Sequence, residues 1–324
     1  MDIVLIKSYT NKPWRSPETY QLIENSLKDK WRVTSVNTKS PNILYRQIAK
    51  LRRECGGSIF VFNIAEYLDE KKKSGFVPAL LDEWNVPHLG SSPETIAIGL
   101  DKAHTKAVLF THHIPTPGYF VADRIDSSIE YNSKRVGYPL IVKPIGEGGH
   151  IGISDDSIVY NDADLYKAIQ GILDTHDQAA IVEAFITGDG MREFSVGIID
   201  GDDCYYTPIE IDYAAMDVET PILSYEAAQK DLERTKLVED EKIRSEIVDL
   251  SLQTFRALSA HDYSRVDLRM DQTGCYVLEI NIMPGLGPYS FLPEAAKEIH
   301  GLEYGELIQK LAAVSMKRQG ISGI

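Results

Sequence analysis

Cysteine is scarce in this chain: 3 in 324 residues, at Cys55, Cys204 and Cys275, odd in number and far apart. That excludes a disulfide framework, and the spacing does not fit a zinc site. Basic charge is also short. The 34 lysines and arginines stand against 48 aspartates and glutamates, leaving a net charge of −14 and no basic footprint for a nucleic-acid backbone. Long apolar runs are missing, and none approaches the roughly 18 residues of a membrane span. The opening MDIVLIKSYT lacks the basic and apolar regions of a signal peptide, so the expected compartment is the cytoplasm. Two nucleotide-binding signatures are absent too. No GxxxxGK[ST] occurs, and the stretch nearest to GxGxxG carries Ile151 in place of the third glycine. No repeat or low-complexity segment stands out.

What is present is enough apolar residue, 43%, for a substantial core divided into two or three domains. The most informative stretch is SRVDLRMDQTGCYVLEINIMPGLGPYS, residues 264–290. Val266, Leu268 and Met270 alternate with Arg265, Asp267 and Arg269, the period of a half-buried strand. A turn at 271–274 and a second strand over 275–282 complete a hairpin. Centred on Thr273, it sets Asp267 opposite Glu279 and Arg265 opposite Asn281. Two facing carboxylates repel unless a positive charge sits between them. An all-oxygen set of Asp, Glu and Asn suits a hard cation such as Mg²⁺, with Mn²⁺ as an alternative. A solvated acidic hairpin face is the other reading of these residues. The Pro/Gly-rich loop at 283–288 then allows a close approach of backbone to a ligand.

Residues 140–152, LIVKPIGEGGHIG, form a second such stretch. Three apolar residues make a strand, Lys143 ends it, and Pro144 forbids further ladder bonds. Gly146, Gly148, Gly149 and Gly152 follow in a loop that can turn backbone N–H groups toward phosphates. A mobile surface loop is the alternative; the lysine just before it favours a phosphate clamp.

Together, RVDLRMD, YVLEINIMPGLGPYSFLPEAA and VKPIGEGGHIGI closely resemble the motifs of ATP-grasp ligases of the D-alanine–D-alanine ligase type. The resemblance implies an α/β fold of three lobes. An N-terminal open α/β substrate domain would cover residues 1–90, a central lobe with the glycine-rich lid 91–186, and a C-terminal lobe with the metal site 187–324. It further implies ATP-dependent carboxylate–amine ligation through an acyl phosphate. Asp267, Glu279 and Asn281 would hold Mg²⁺; Lys102, Lys143, Gly148 and Gly149 would meet the phosphates. Glu183 with the backbone of Phe185 and Ile186 would read the adenine edge, and Glu193 the ribose. Arg265 would stabilise the tetrahedral oxyanion, Ser290 and Gly285 would bind the second substrate's carboxylate, and Glu18 would reach the first substrate's amino group. Taken by themselves, Glu18 is a helix-start carboxylate, Lys102 an exposed helix lysine and Glu193 an edge-strand charge.

Two positions depart from the family pattern. Gly149, followed by His150, stands where a lid serine is usual, and Gln229 where a tyrosine follows YEA. The Ser–Tyr–Glu latch over the substrates therefore cannot form. The lid is expected to order mainly on ATP phosphates, with His150 as a substitute contact, and the amino-acid substrates are left open. Three readings follow: a D-alanine–D-alanine ligase, a related ligase with other amino-acid or biosynthetic substrates, and a non-catalytic ATP-binding regulator. Small-molecule partners are expected, with no nucleic acid and no membrane, and with a homodimer as one assembly.

Elsewhere the patterns are structural. Ile3–Ile6 and Ile59–Phe62 read as buried parallel strands. Ser16-Pro17 and Ser92-Pro93 read as helix starts. The second of those helices is expected to run on through Lys102. Leu22, Ile23 and Leu27, then Phe76, Ala79, Leu80 and Trp84, read as core stripes, as do apolar residues in 239–259 and 304–311. Lys71–Lys73 reads as a solvated loop.

Overall fold

The computed structural model describes residues 1–216, 218, 220–229 and 232–321, except the side chains at 228 and 229. Its architecture rests on three main sheets drawn from successive parts of the chain. In the first, β1 (Asp2–Lys7) runs parallel between β2 (Arg32–Asn37) and β3 (Ile59–Asn63). A central parallel strand is covered on both faces, which is why Ile3 to Ile6 form an unbroken apolar run. Helix α1 (Pro17–Lys28) follows β1, with the Ser16 hydroxyl accepting from the Thr19 amide at 3.2 Å and Pro17 in the first turn. Ile23 and Leu27 face the core as expected. Leu22, one step round the helix, does not; it is 40% exposed. Neither β2 nor α2 (Pro41–Glu54) stands out in the sequence, because β2 buries only Val36 fully. A small hairpin of β4 (Tyr67–Asp69) and β5 (Ser74–Phe76) leads to α3 (Val77–Glu83). The buried residues there are Val77, Pro78 and Leu81, not the expected stripe, because Phe76 and Trp84 are the caps of a two-turn helix.

The next segment opens with α4 (Pro93–Leu100), capped by Ser92. It then corrects an expectation. The helix does not run on through Lys102: Asp101 is extended and caps a separate α5 (Lys102–Thr111), accepting from the amides of Ala103 and His104 at 2.9 Å. Beyond it come β6 (Tyr119–Ala122), α6 (Ser128–Val136), β7 (Leu140–Pro144), β8 (Ile158–Val159), α7 (Asp162–His176) and β9 (Ala180–Ala184). The four strands form an antiparallel sheet in the order β6-β9-β7-β8.

The third sheet, β12-β11-β10-β13-β14, is antiparallel throughout. Its strands are β10 (Arg192–Ile199), β11 (Tyr205–Ile211), β12 (Thr235–Leu237), β13 (Tyr263–Asp271) and β14 (Gly274–Asn281). Between β11 and β12 lies α8 (Tyr225–Gln229), and α9 (Glu241–Ala257) packs behind β13 and β14 through Ile247, Leu250 and Phe255. The chain closes with α10 (Phe291–His300) and α11 (Tyr304–Arg318). Helix α11 does not stay with its own sheet. Leu307, Ile308, Leu311 and Met316 share a core with Ile3, Leu5, Phe60, Tyr20 and Leu27, so the last helix covers the first sheet beside α1. Buried Asp262 reinforces this closure, bonding the Gly90 amide at 2.7 Å and the Arg318 guanidinium at 2.7 and 3.0 Å. Among the described residues no helix is long and apolar enough to cross a membrane.

Candidate active site

The β13–β14 hairpin aligns the residues that the sequence pairs. Asp267 lies opposite Glu279 and Arg265 opposite Asn281. The turn, however, is not centred on Thr273: Asp271 pairs with Gly274, leaving Gln272 and Thr273 as a two-residue loop. A bulge at Leu278 restores the register, since Leu268 pairs with Val277 and Asp267 with Glu279. The Arg265 guanidinium forks onto Asp267 at 2.9 and 2.7 Å, and the Ser195 hydroxyl donates to the same carboxylate at 2.7 Å. The Asn281 amide bridges both acids, 3.0 Å from Asp267 and 3.4 Å from Glu279. Burial works against ionisation of Glu279, but Lys102, Lys143, His150 and Arg265 overcome it and hold the carboxyl at about 2. Among the described residues no group of three or more His, Cys, Asp or Glu is placed to hold a metal ion. The candidate donors are instead two carboxylates and an amide on one face, a set of hard oxygens that fits a magnesium-type cation.

Across the cleft, Lys143 at the end of β7 points its ammonium to Glu183 at 3.0 Å. Lys106, from α5, lies 3.4 Å from the same oxygen and has no solvent exposure. It also donates to the Thr116 hydroxyl at 2.7 Å, which in turn donates to the Val277 carbonyl at 2.8 Å. The second carboxylate oxygen of Glu183, Oε1, is buried without a hydrogen-bond partner. An unpaired oxygen in such a place is costly unless a ligand donor meets it. Lys102 is 8% exposed rather than a surface lysine, because the break at Asp101 turns the first residue of α5 inward. Its ammonium donates to the Glu147 carbonyl at 2.5 Å and lies 3.5 Å from Glu279. The family resemblance points to Lys102 and not to Lys106, which only its four-residue spacing in DKAHTK signals.

Phe185 and Ile186 follow β9 at the back of the cleft, where Ile141, Phe185 and Ile222 form a small apolar cluster. The Phe185 amide donates to Pro139 at 2.9 Å, and the Ile186 carbonyl accepts from Arg269 at 3.2 Å. Glu193 is not an edge-strand charge, since β10 is the central strand of its sheet. Its carboxylate pairs with Arg269 at 2.8 Å and accepts from the Tyr213 hydroxyl at 2.9 Å. Arg269 also lies 4.6 Å from the Phe185 ring, so it ties the segment after β9 to the third sheet.

The glycine-rich loop carries contacts that the sequence did not suggest. Glu147 pairs with Lys73 at 3.0 Å and accepts from Gln178 at 2.9 Å, so one residue of the expected solvated loop grips the lid. His150 lines the cleft, 3.4 Å from Glu233, whose charge raises the imidazole pKa despite burial. Gly149, at φ +65°, meets the far edge of the Trp14 ring, while Gly148 faces open space. Glu18 is not brought to the cleft. It is exposed in the first turn of α1, engaging its own amide and Ser16. The Gln229 side chain lies outside the described residues. Ser290 stands at the N-cap of α10 with no cap hydrogen bond, its Oγ turned toward Gly285 and Gly287. A separate concavity between α9 and the tip of the hairpin, lined by Glu246, Asp249 and Tyr276, holds none of the candidate residues.

Residues 113–313 match the family model described as D-ala D-ala ligase C-terminus. A D-alanine–D-alanine ligase from Marinomonas sp. is 35% identical over 254 residues, 76% of this chain and 75% of that protein. The chain belongs to the D-alanine–D-alanine ligase family. It is an ATP-dependent carboxylate–amine ligase of the D-alanine–D-alanine ligase type. An uncharacterized protein, y4sG of Sinorhizobium fredii, is 32% identical over 82% of this chain and 76% of its own. Among solved structures, the D-alanine–D-alanine ligase of Bacillus anthracis complexed with ATP superposes with a TM-score of 0.78, at 21% identity and covering 100% of both chains. The VanG D-Ala:D-Ser ligase of Enterococcus faecalis gives 0.71 at 19% identity, over 97% of this chain and 99% of that one. These likenesses establish the ATP-grasp fold for this D-alanine–D-alanine ligase relative.

Proposed function

We propose that the protein joins two amino-acid substrates, activating the carboxylate of the first as an acyl phosphate. The observation that carries this reading is the facing of Asp267, Glu279 and Asn281 with Lys102 and Lys143 across one cleft. ATP would be held between the second and third sheets, where Glu183 Oε1 is free to accept from an adenine edge and Glu193 would serve the ribose. Asp267, Glu279 and Asn281 would hold Mg²⁺ or Mn²⁺, which when bound neutralises charge on the phosphates.

Lys102 and Lys143 stabilise charge on the transferring phosphoryl group as the substrate carboxylate oxygen bonds to the γ-phosphorus and ADP leaves. The amine of the second substrate then attacks the acyl carbon, phosphate departs and the nitrogen loses a proton. Arg265 faces the oxyanion that forms at that carbon. The Ser290 hydroxyl and the N-terminal end of α10, with the Gly285 backbone, hold the second carboxylate. The side chains position and stabilise; none serves as a covalent nucleophile.

D-Alanine is the first substrate to test at both sites. Gly149 and His150 in the lid favour a ligase for other amino acids as the second reading. The complete charged set argues against a non-catalytic regulator. An ADP-release screen with D- and L-amino acids, singly and in pairs, tests the reading. ADP release that depends on a pair and yields an amide product is expected; release without amino-acid dependence, or none at all, overturns it.

A further inference from the structure

Trp14, in the turn before α1, packs against the Gly285–Ser290 loop and the glycine-rich loop, and nothing in the family resemblance uses it. A Cβ placed on Gly285 would meet Trp14 Cγ at 2.9 Å, Trp14 Cβ at 3.0 Å and Ser290 Oγ at 3.1 Å. One placed on Gly287 would meet Trp14 Cα at 3.0 Å and Ser290 Oγ at 3.2 Å. The far edge of the indole reaches Gly149, where a Cβ would lie 3.2 Å from Cη2. Gly285 and Gly149, from two loops, thus pack directly on one ring, and Gly287 packs on the Cα and Cβ that carry it. Ser290 Oγ and the ring also lie within 3.1 Å of a single point in space.

The ring is held in place. It sits on a single 3-10 turn, Pro13–Arg15, whose Pro13 carbonyl accepts from the Thr19 hydroxyl at 2.7 Å. Arg15, next in sequence, is 6% exposed and ion-paired to both Glu66 and Glu70 beyond the end of β3. Lys12 lies 5.5 Å from the ring centroid. A rigid aromatic anchored on two sides excludes volume instead of yielding it.

We infer that Trp14 is a specificity-determining residue that limits the amine substrate to a small side chain, hydrogen, methyl or hydroxymethyl. This rests on the assignment of that substrate's carboxylate to Ser290 and Gly285. A substrate held there has the indole as its wall, and a branched or aromatic side chain meets the ring.

The test uses the full-length protein with ATP and one fixed carboxylate substrate, the best donor in the ADP-release screen. Glycine and both enantiomers of alanine, serine, valine and leucine serve as amine substrates. The wild type is expected to favour alanine over leucine by about 100-fold in kcat/KM, the scale on which pocket walls discriminate. Trp14→Ala lowers that ratio to below about ten-fold, while Trp14→Phe, which keeps the packing on Gly285, retains most of it. Should Trp14→Ala not fold, Trp14→Leu takes its place under the same criterion. Intact wild-type turnover with an unchanged ratio in the shortened variant overturns the inference alone. A wild type that accepts leucine as readily as alanine does the same. Absence of any amino-acid-dependent ADP release overturns the ligase substrate reading and this inference with it.

Discussion

The ammonium of Lys106 lies 3.4 Å from the carboxylate of Glu183, and both side chains are sealed from solvent. Lys143 approaches the same oxygen, at 3.0 Å, from the cleft side. Glu183 therefore has two cations, one permanently buried and one beside the phosphate site. Lys106 can keep the carboxylate compensated when Lys143 turns to a ligand. Without it, releasing Lys143 would strand a buried charge, which is costly.

Lys106→Met is accordingly expected to weaken ATP binding about ten-fold while leaving amino-acid affinity nearly unchanged, measured by calorimetry. Burial lowers the Lys106 pKa to about 8. Above that pH the wild-type lysine loses its charge and Glu183 retains Lys143 more tightly. ATP affinity should then fall as pH rises through about 8, and this step should be missing in the variant. An unchanged affinity in the variant would show that Lys143 alone suffices.

Glu279→Gln removes one of two facing carboxylates without changing shape. Mg²⁺-dependent ADP release should drop by at least about 100-fold, with a melting temperature within a few degrees of the wild type. Since Glu279 is held at about 2, activity should show no acid limb from this residue near neutral pH. Retained turnover would remove Glu279 from the metal set.

The lid contacts change what the glycine count suggests. Glu147, bound to Lys73 and Gln178, ties residues 146–152 to the turn between β4 and β5 and to the segment before β9. Partial hydrogen-exchange protection of this segment is expected in the ligand-free protein. Lys73→Ala should speed its exchange by two- to five-fold at most, because a half-exposed ion pair contributes under about 1 kcal/mol. Exchange at the free-peptide rate in the wild type would show that the latch does not hold.

Glu24, on α1, offers a check on the packing around the first sheet. Burial opposes its ionisation, yet Lys28 and Lys7, each at 2.5 Å, and Ser35 at 2.7 Å depress its pKa to about 2. Its folded pKa lies below the unfolded one. The stabilisation is thus complete above about pH 4.5 and fades as pH falls through about 2. Glu24→Gln should lower the melting temperature by about 2 °C at pH 7, with the gap closing in acid. A gap that persists at the lowest pH would mean that the side chain acts through packing alone.

The sequence by itself determined whatever depends on near neighbours along the chain. Strand alternation put Asp267, Glu279, Arg265 and Asn281 on one hairpin face, and Ser-Pro pairs marked where α1 and α4 begin. The turn itself lies one half-step from Thr273, and the bulge at Leu278 makes up the difference. Only the tertiary structure decided the rest. The Asp101 break swings Lys102 into the cleft, because an N-cap side chain can outcompete helix continuation when the Ile145 carbonyl accepts the Lys102 amide. Trp14 meets Gly285, Lys73 meets Glu147 and α11 covers β1, contacts between segments far apart in sequence. No period or spacing encodes them. They exist because burying apolar surface and pairing charge reward any residues that the folded backbone brings within reach, whatever their distance along the chain.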